Sequence, residues 1–349
     1  MRQKKLLLKK NTSSCLAGIL SVILFIQCSK DDSANDEESY LKLPETPYDY
    51  ASLKNLPGVP HPANDGDSPT NPVTNDGATL GRVLFYDKLL SQNNQISCAS
   101  CHKQEFSFAD NVAKSTGVNG QTIRNSMHLV NIRHFGGPMF WDGRAQTLEI
   151  QTLMPIQDHI EMDLTLPEMV SKLQTTTYYK PLFEKAFGDG EITSDRVSKA
   201  LSQFIRSLNS YNSKFDKQEP RTPQEQLGFY KFFEFPEVSE PNTNTCVECH
   251  MGIQHVFFSD YEMPILNFPI TGNGRGFEDE PIDMKVANLR NIELTAPYGH
   301  DGRYATLDIL LQHHGNNVSD TDRANLIAFL KTFTDTEFTK DVRYSNPFK

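Results

Sequence analysis

The chain contains the pattern Cys-x-x-Cys-His twice, at residues 98–102 and at residues 246–250. Two thiols at this spacing can add to the two vinyl groups of one haem, and the histidine that follows is then held under the iron as proximal ligand. For one such motif alone, a disulfide or a zinc site is the alternative. Two motifs predict two covalently bound haem c groups. The predicted attachment residues and iron ligands are Cys98, Cys101, His102, Cys246, Cys249 and His250.

The N-terminus has the composition of an export signal. Basic residues are followed by an apolar run at residues 16–26 and then by Cys28. The residues before Cys28 resemble a bacterial lipobox, so residues 1–27 are predicted to be a lipoprotein-type signal peptide and Cys28 to carry the lipid. Gln27 stands where a small residue is usual, so cleavage without a lipid is the alternative. Cys15 would leave with the signal.

Charge and hydropathy limit the classes of partner and the locations that the sequence allows. Residues 1–27 hold five basic and no acidic residues, so their removal changes the formal charge from −10 to −15. An acidic protein is a poor ligand for nucleic acid, and it suits a basic partner. No later segment has the about 20 apolar residues that a membrane span requires. The expected location is the periplasm, the outer membrane or the cell surface, with the lipid on Cys28 as the membrane attachment.

Beyond the signal, the pattern predicts an all-α protein with long loops. Residues 28–75 are polar and lack periodicity, which is typical of a flexible tether. Apolar spacing then predicts helices. We expect an N-terminal haem domain at residues 76–220 and a C-terminal haem domain at 221–349. The predicted helices cover residues 78–90, 166–174, 194–209, 223–233, 307–314 and 321–333.

The sequence also contains an internal repeat. Each Cys-x-x-Cys-His motif is followed by an Arg-Asn pair, at residues 124–125 and 290–291, and then by an Asp-Gly-Arg segment, at residues 142–149 and 301–308. The same landmarks in the same order predict a duplicated domain. The boundary is expected near residues 217–222.

These motifs resemble the bacterial dihaem cytochrome c peroxidases and their MauG-type relatives. The match runs from about residue 76 to residue 333. The resemblance implies two cytochrome-c-like domains, an N-terminal haem that reacts with hydrogen peroxide, and a C-terminal haem that relays electrons from a small cytochrome c or a cupredoxin-like donor. The segments that carry it are residues 84–87, 96–102, 124–126, 140–144, 289–291 and 294–298.

The family pattern also implies roles for side chains near the first haem. Glu161 and Gln151 lie twenty and ten residues after Trp141, at the spacing of the family's distal acid and amide. Trp141 matches a position between the two haems. Arg144 and Arg303 are candidates for pairing with haem propionates, with surface exposure as the alternative.

Two departures limit what the resemblance implies. The loop at residues 114–120 contains no histidine that could cap the peroxide-binding iron, so we expect that iron to be open without prior reduction. Gly299 replaces the methionine that is common as sixth ligand of the second haem, which should change its potential. The candidate replacement ligands are His300, Tyr298, Met263 and Met284.

Several alternatives stay open at this point. A MauG-like oxidase would use the same haems to withdraw electrons from a protein or a small molecule, and the missing methionine favours it. A non-catalytic electron carrier would not need Glu161 or Gln151. Family members bind calcium between the domains, where Asn125 matches one ligand position. A homodimer is one expectation for the assembly.

Overall fold

The chain was studied as a computed structural model. It describes residues 41–52, 68–134, 138–233, 246, 250, 285–313 and 318–348. The described part is helical apart from one small hairpin, which agrees with the all-α prediction. No helix in it is long and apolar enough to cross a membrane. The signal peptide, Cys28 and Cys249 lie outside the described residues.

The helices are numbered here in chain order within the described residues, and short 3-10 turns connect many of them. The hairpin strands are β1 (Thr116–Gly117) and β2 (Gly120–Gln121), which pair antiparallel. The helices are α1 (Asn75–Tyr86), α2 (Cys98–Cys101), α3 (Leu148–Gln157), α4 (Leu166–Gln174), α5 (Tyr179–Phe187), α6 (Ser194–Ser207), α7 (Pro223–Phe233), α8 (Leu307–His313) and α9 (Asp320–Lys331).

Several helices begin at a hydroxyl residue that caps them. The side chains of Thr74, Thr147, Thr193 and Ser319 each accept a hydrogen bond from the backbone N–H three residues later. This bond satisfies one of the N–H groups that the first helical turn leaves without a partner. The starts of α1, α3, α6 and α9 are therefore fixed by local sequence.

The duplication is visible in how the helices cross. α1 packs against α6, and α7 packs against α9. A Cβ atom built on Gly81 of α1 would lie 2.0 Å from the carbonyl oxygen of Ala200. A Cβ atom on Gly228 of α7 would lie 2.0 Å from the carbonyl oxygen of Asn325. The same close crossing therefore occurs in each half, and each half has its own cluster of buried apolar residues.

The structure corrects one pairing within the sequence repeat. Asn291 corresponds to Asn131 and not to Asn125. Asn131 and Asn291 both have φ of +57° and both precede a 3-10 turn. The N–H of Asn131 donates to the carbonyl of Leu208 after α6, at 2.8 Å, and the N–H of Asn291 donates to Phe333 after α9, at 3.2 Å. Asn125 lies earlier in the chain and contacts the other half instead.

The Asp-Gly-Arg segments do correspond. Each lies in a loop that an isolated antiparallel bridge closes, Met139 to Ala145 in the first half and Tyr298 to Tyr304 in the second. Trp141 and His300 are each two residues after the first bridge residue, so they occupy equivalent places. By the same count, Phe140 corresponds to Gly299, and both have positive φ.

Part of the predicted tether is folded, and the C-terminal tail joins the first half. In residues 41–52, Tyr50 is fully buried and its hydroxyl donates to the carbonyl of Arg343 at 2.6 Å. Phe338 and Tyr344 of the tail are buried in the core cluster of the first half. The prediction of a tether through residue 75 is wrong for residues 41–52, because tyrosines and leucines within the polar stretch pack on that core.

Candidate functional site

The first Cys-x-x-Cys-His motif has the arrangement that covalent haem attachment requires. Cys98 and Cys101 lie at the two ends of α2, and both thiols are free. The Nδ1 atom of His102 lies 2.9 Å from the carbonyl oxygen of Phe108. A carbonyl can only accept, so Nδ1 carries the proton and Nε2 keeps the lone pair that would bind iron. Burial lowers the pKa of His102, which favours the neutral ring.

The second motif has the same outer contact. The Nδ1 atom of His250 lies 3.2 Å from the carbonyl oxygen of Ala287, which leaves Nε2 for an iron in this half as well. Cys246 is not part of a disulfide. Within the described residues, no group of three His, Cys, Asp or Glu side chains could hold a metal ion, so the zinc alternative has no support there. The residues fit haem.

Glu161 lies in the turn after α3, within electrostatic range of the first motif. Burial is the main reason that the pKa of Cys98 is raised to about 12 and that of Cys101 to about 11, and the charge of Glu161 adds to both shifts. Burial also raises the pKa of Glu161 itself to about 7; the negative charge of Asp158 adds to this, and the positive charge of Arg144 opposes it. A carboxyl of this kind exchanges protons near neutral pH.

Gln151 lies on α3 between the Trp141 loop and the Glu161 turn. It is half-buried, one turn after the cap residue Thr147. The helix therefore joins the three residues that the family pattern singles out and places them in one continuous segment of the first half.

Trp141 joins the two halves of the molecule. Its Nε1–H donates to the carbonyl oxygen of Asn125 at 2.8 Å, and its own carbonyl accepts from the N–H of Lys285 at 2.7 Å. The indole packs edge-on against the ring of His300, with ring centres 6.5 Å apart. The only tryptophan in the sequence thus lies at a contact between the first and second halves.

The contacts of His300 do not favour it as the sixth iron ligand. Its Nδ1 atom lies 3.0 Å from Nη1 of Arg124, a group that can only donate. Nδ1 is therefore the acceptor, and the neutral ring carries its proton on Nε2. Neither nitrogen of a neutral ring in this geometry has a lone pair for iron.

Tyr298 is also engaged elsewhere. Its hydroxyl donates to the carbonyl of Ile292 at 2.9 Å, and burial raises its pKa to about 12, so it stays a neutral phenol. Gly299 has φ of +88°, and a Cβ atom there would lie 3.2 Å from the ring of Tyr304. The aromatic ring thus lies where a longer side chain at position 299 would begin. Met263 and Met284 lie outside the described residues.

Each arginine of the Asp-Gly-Arg segments forms an ion pair within its own loop. Nη1 of Arg144 lies 2.9 Å from Asp142, and its guanidinium carbon is 3.6 Å from the ring centre of Phe140. Nε of Arg303 lies 2.6 Å from Asp301. The structure therefore places both arginines beside an aspartate two residues earlier.

Sequence reasoning missed the hairpin that contacts the Glu161 turn. The N–H of Val118 donates to the carbonyl of Glu161 at 2.8 Å, and the N–H of Asn119 donates to that of Ile160 at 3.1 Å. The dipeptide Asn119-Gly120 is a strong hairpin signal and could have revealed the strands. Its contact with a segment some forty residues later had no local signal.

Comparison with known proteins identifies the family. The profile of the family described as "Di-haem cytochrome c peroxidase" matches residues 75–220. The cytochrome c551 peroxidase of Nitrosomonas europaea is 35% identical over 299 residues, which cover 78% of this chain and 85% of that protein. The chain belongs to the di-haem cytochrome c peroxidase family.

Other members of the family and one solved structure extend the comparison. The methylamine utilization protein MauG of Methylophilus methylotrophus is 28% identical over 75% of this chain and 84% of that protein. The crystal structure of a MauG-like protein associated with microbial copper homeostasis matches with a TM-score of 0.67 and 28% identity, covering 84% of this chain and 98% of that one. Membership confirms the all-α cytochrome-c-like fold, the haem c cofactors and the class of the enzyme, a peroxidase.

Proposed function

We propose that the chain reduces hydrogen peroxide to two molecules of water. The reaction consumes two protons and also two electrons, which come from a small cytochrome c or a cupredoxin-like donor. Glu161 is the distal acid and base. The observation that carries the proposal is a half-buried glutamate with a pKa of about 7 within electrostatic range of the first haem motif. An electron carrier has no need for such a group, whereas cleavage of the O–O bond does.

Different side chains of the first half bind the haem and move the proton. When bound, the haem on Cys98 and Cys101 supplies the iron that binds and reduces the peroxide. Glu161, as a carboxylate, takes the proton from one peroxide oxygen and delivers it to the other, which leaves as water. His102 is held through Nδ1 by the carbonyl of Phe108, which would leave Nε2 for the iron.

Electron supply is assigned to the second half. The haem on Cys246, Cys249 and His250 would receive electrons from the donor, and Trp141 would lie on the route to the first haem. An indole at the contact between the halves, bonded to Asn125 and packed on His300, supports this route. The hydrogen bond of Nε1 and the ring contact with His300 fix the orientation of the indole.

The test is the variant Glu161→Gln. The amide keeps the shape of the side chain and cannot take the proton, so peroxide turnover should fall by roughly 10²- to 10⁴-fold while both haems stay attached. Glu184→Gln, at an exposed glutamate of α5, is the matched control and should turn over as the wild type does. Rates are measured with peroxide and a reduced small cytochrome c. Wild-type turnover in Glu161→Gln would exclude Glu161 as the acid.

A MauG-like oxidase is the second candidate, and Gly299 favours it. A glycine cannot supply the thioether that raises the potential of a relay haem. Similarity to MauG proteins at 28% identity points the same way. An assay with peroxide and oxidisable proteins or small molecules, run beside the assay with reduced cytochrome, separates the two candidates. Faster turnover with the oxidisable substrates would favour the oxidase.

The location, the domain division, calcium binding and the assembly are also proposals. We infer an exported protein in the periplasm or at the outer membrane, with a lipid on Cys28. We also infer two haem domains, at residues 76–220 and 221–349, with the tail of the second, which includes Phe338 and Tyr344, packed back on the first. A calcium ion between the halves would use Asn125, which is buried there and bonds through Nδ2 to the carbonyl of Val112 at 3.1 Å. A homodimer is the proposed assembly.

A further inference from the structure

The turn that carries Glu161 is shaped by its own first residue. Oδ1 of Asp158 accepts hydrogen bonds from the N–H groups of Ile160, at 2.9 Å, and Glu161, at 3.1 Å. These bonds fix the turn locally. Both bonds lie within the turn, so they do not hold it against the rest of the first half.

The β1–β2 hairpin supplies contacts from outside the turn. The carbonyls of Ile160 and Glu161 accept from the N–H groups of Asn119 and Val118, as in a short antiparallel pairing. Gly117 permits this approach, because a Cβ atom there would lie 2.1 Å from the carbonyl oxygen of Ile160. Any larger residue at position 117 would push the hairpin and the turn apart.

The side chain of Asn119 adds two further bonds. Its Nδ2 atom donates to the carbonyl of His159 at 2.7 Å and to Oδ2 of Asp163 at 2.8 Å. Asp163 is also 3.0 Å from Nδ1 of His159. One amide group thus ties together residues on both sides of Glu161.

The base of the hairpin is joined to the proximal side of the first haem motif. The N–H of Ser115 donates to Oγ1 of Thr122 at 3.0 Å, and the Ser115 hydroxyl donates to Asp110 at 2.5 Å. Asp110 follows Phe108, whose carbonyl holds His102, by two residues. The hairpin therefore connects the loop beside the proximal histidine with the turn that holds the carboxyl.

We propose that Asn119 is a positioning residue for Glu161, which holds the turn at residues 158–163 against the hairpin and so keeps the carboxyl in its water-poor place beside the first haem. This inference rests on the proposed function of Glu161. The amide of Asn119 then acts together with the bond from the N–H of Gln92 to the carbonyl of Met162, which holds the other end of the turn.

A loosened turn has two measurable effects. The backbone N–H groups of residues 158–163 become exposed to water more often, which speeds their exchange with deuterium. Water also reaches the carboxyl of Glu161, which reduces the effect of burial that raises its pKa to about 7. If Asn119 only stabilises the fold, its loss will not change the pKa of Glu161.

The experiment compares Asn119→Ala with Gln121→Ala, an exposed residue of the same hairpin, in the haem-loaded protein. In Asn119→Ala we expect deuterium exchange in peptides covering residues 156–164 to be faster by about tenfold or more, since both side-chain bonds are lost. The step with peroxide should slow by about tenfold or more, short of the effect of Glu161→Gln, because misplacement of a catalytic group costs up to about 10²-fold. In Asn119→Ala, the midpoint of the pH profile of the step with peroxide should fall below about 7.

Unchanged exchange in Asn119→Ala would overturn the inference. So would faster exchange combined with the wild-type rate and pH midpoint, because the contact would then be structural only. If Glu161→Gln keeps full turnover, the proposed function fails, whereas the exchange data on Asn119→Ala still decide whether the hairpin holds the turn. If Glu161→Gln is slow and Asn119→Ala is normal in every respect, only the positioning role fails.

Discussion

Glu161 retains its proton at a pH at which an exposed glutamate is ionised. Burial is the largest cause, since it disfavours the charged form, and the charge of Asp158 adds to it. Arg144, held by Asp142 and by the ring of Phe140, acts in the opposite direction. The pKa of about 7 is thus a balance between burial and two charges that can be altered one at a time.

This balance predicts the pH dependence of the reaction with peroxide. Protonated Glu161 cannot accept a proton, so the rate should rise with pH, with a midpoint near 7. Asp158→Asn removes a negative charge and keeps the Oδ1 acceptor, so the midpoint should fall. Arg144→Gln removes a positive charge, so the midpoint should rise. Stopped-flow rates between pH 5 and 9 measure both shifts. If both variants have the wild-type midpoint, a different group controls the profile.

At the level of single residues, the sequence alone identified the side chains that bind haem, but it did not indicate the environment of Glu161. Covalent attachment needs two thiols and a histidine within one short stretch, so the sequence contains the whole motif. The pKa of Glu161 depends on how deeply a turn is buried and on a hairpin some forty residues earlier. The contact of His300 with Arg124 joins residues 176 apart, and no local pattern indicates it.

Among the elements, the two glycine crossings define the duplication. Gly81 lets α1 reach the backbone of α6, and Gly228 lets α7 reach that of α9, each at a place where a Cβ atom would meet a carbonyl oxygen at 2.0 Å. Such contacts tolerate no side chain, because backbone cannot move aside as a flexible side chain can. Each half is therefore sensitive to the same substitution.

Gly81→Ala and Gly228→Ala should each destabilise the half that contains them, by about 1–3 kcal/mol or more, since overpacking forces the helices apart. Gln224→Ala, at an exposed position of α7, is the control and should change stability little. Deuterium exchange in α1 and α7, followed in increasing denaturant, assigns the loss to one half. Equal loss in both halves from either variant would show that the halves unfold as one unit.

The predicted helices are present, and two further helices were missed. Residues 166–174 form α4 and residues 223–233 form α7, as predicted. α3 and α5 were not predicted. α3 contains Pro155 in its interior, which weakens a helical pattern, whereas the apolar spacing of Tyr179, Leu182 and Phe183 in α5 is a helical signal. Both helices are stabilised by packing against the first half.

Over the whole molecule, the two halves share more than the contact at Trp141. Arg290 of the second half forms a buried two-point ion pair with Asp216, with both distances 2.6 Å. Nδ2 of Asn291 donates to Ser107, in the loop after the first haem motif, at 2.9 Å. The segment between α6 and α7 is therefore fixed to the second half. The loop after the first haem motif contacts the second half through Ser107.

The C-terminal tail provides a test at this scale. Tyr344 is 1% exposed, packs in the core of the first half and donates its hydroxyl to the carbonyl of Ser207 at 2.9 Å. Tyr344→Ala should cost about 3–5 kcal/mol, the range for loss of a large buried aromatic side chain. The loss should appear as faster exchange in α1 and α6. Val342→Ala, at a residue 58% exposed, is the control. A loss seen only in α7 and α9 would contradict this packing.

The position of this tail also sets an order of events while the protein is made. A ribosome synthesises the chain from the N-terminus, so Phe338 and Tyr344 emerge after both haem motifs. Until they arrive, the core that surrounds α1 lacks two of its buried aromatic rings. The half that contains Cys98 and Cys101 is therefore incompletely packed until residues 338–344 have been made. This late segment completes the core of the first half.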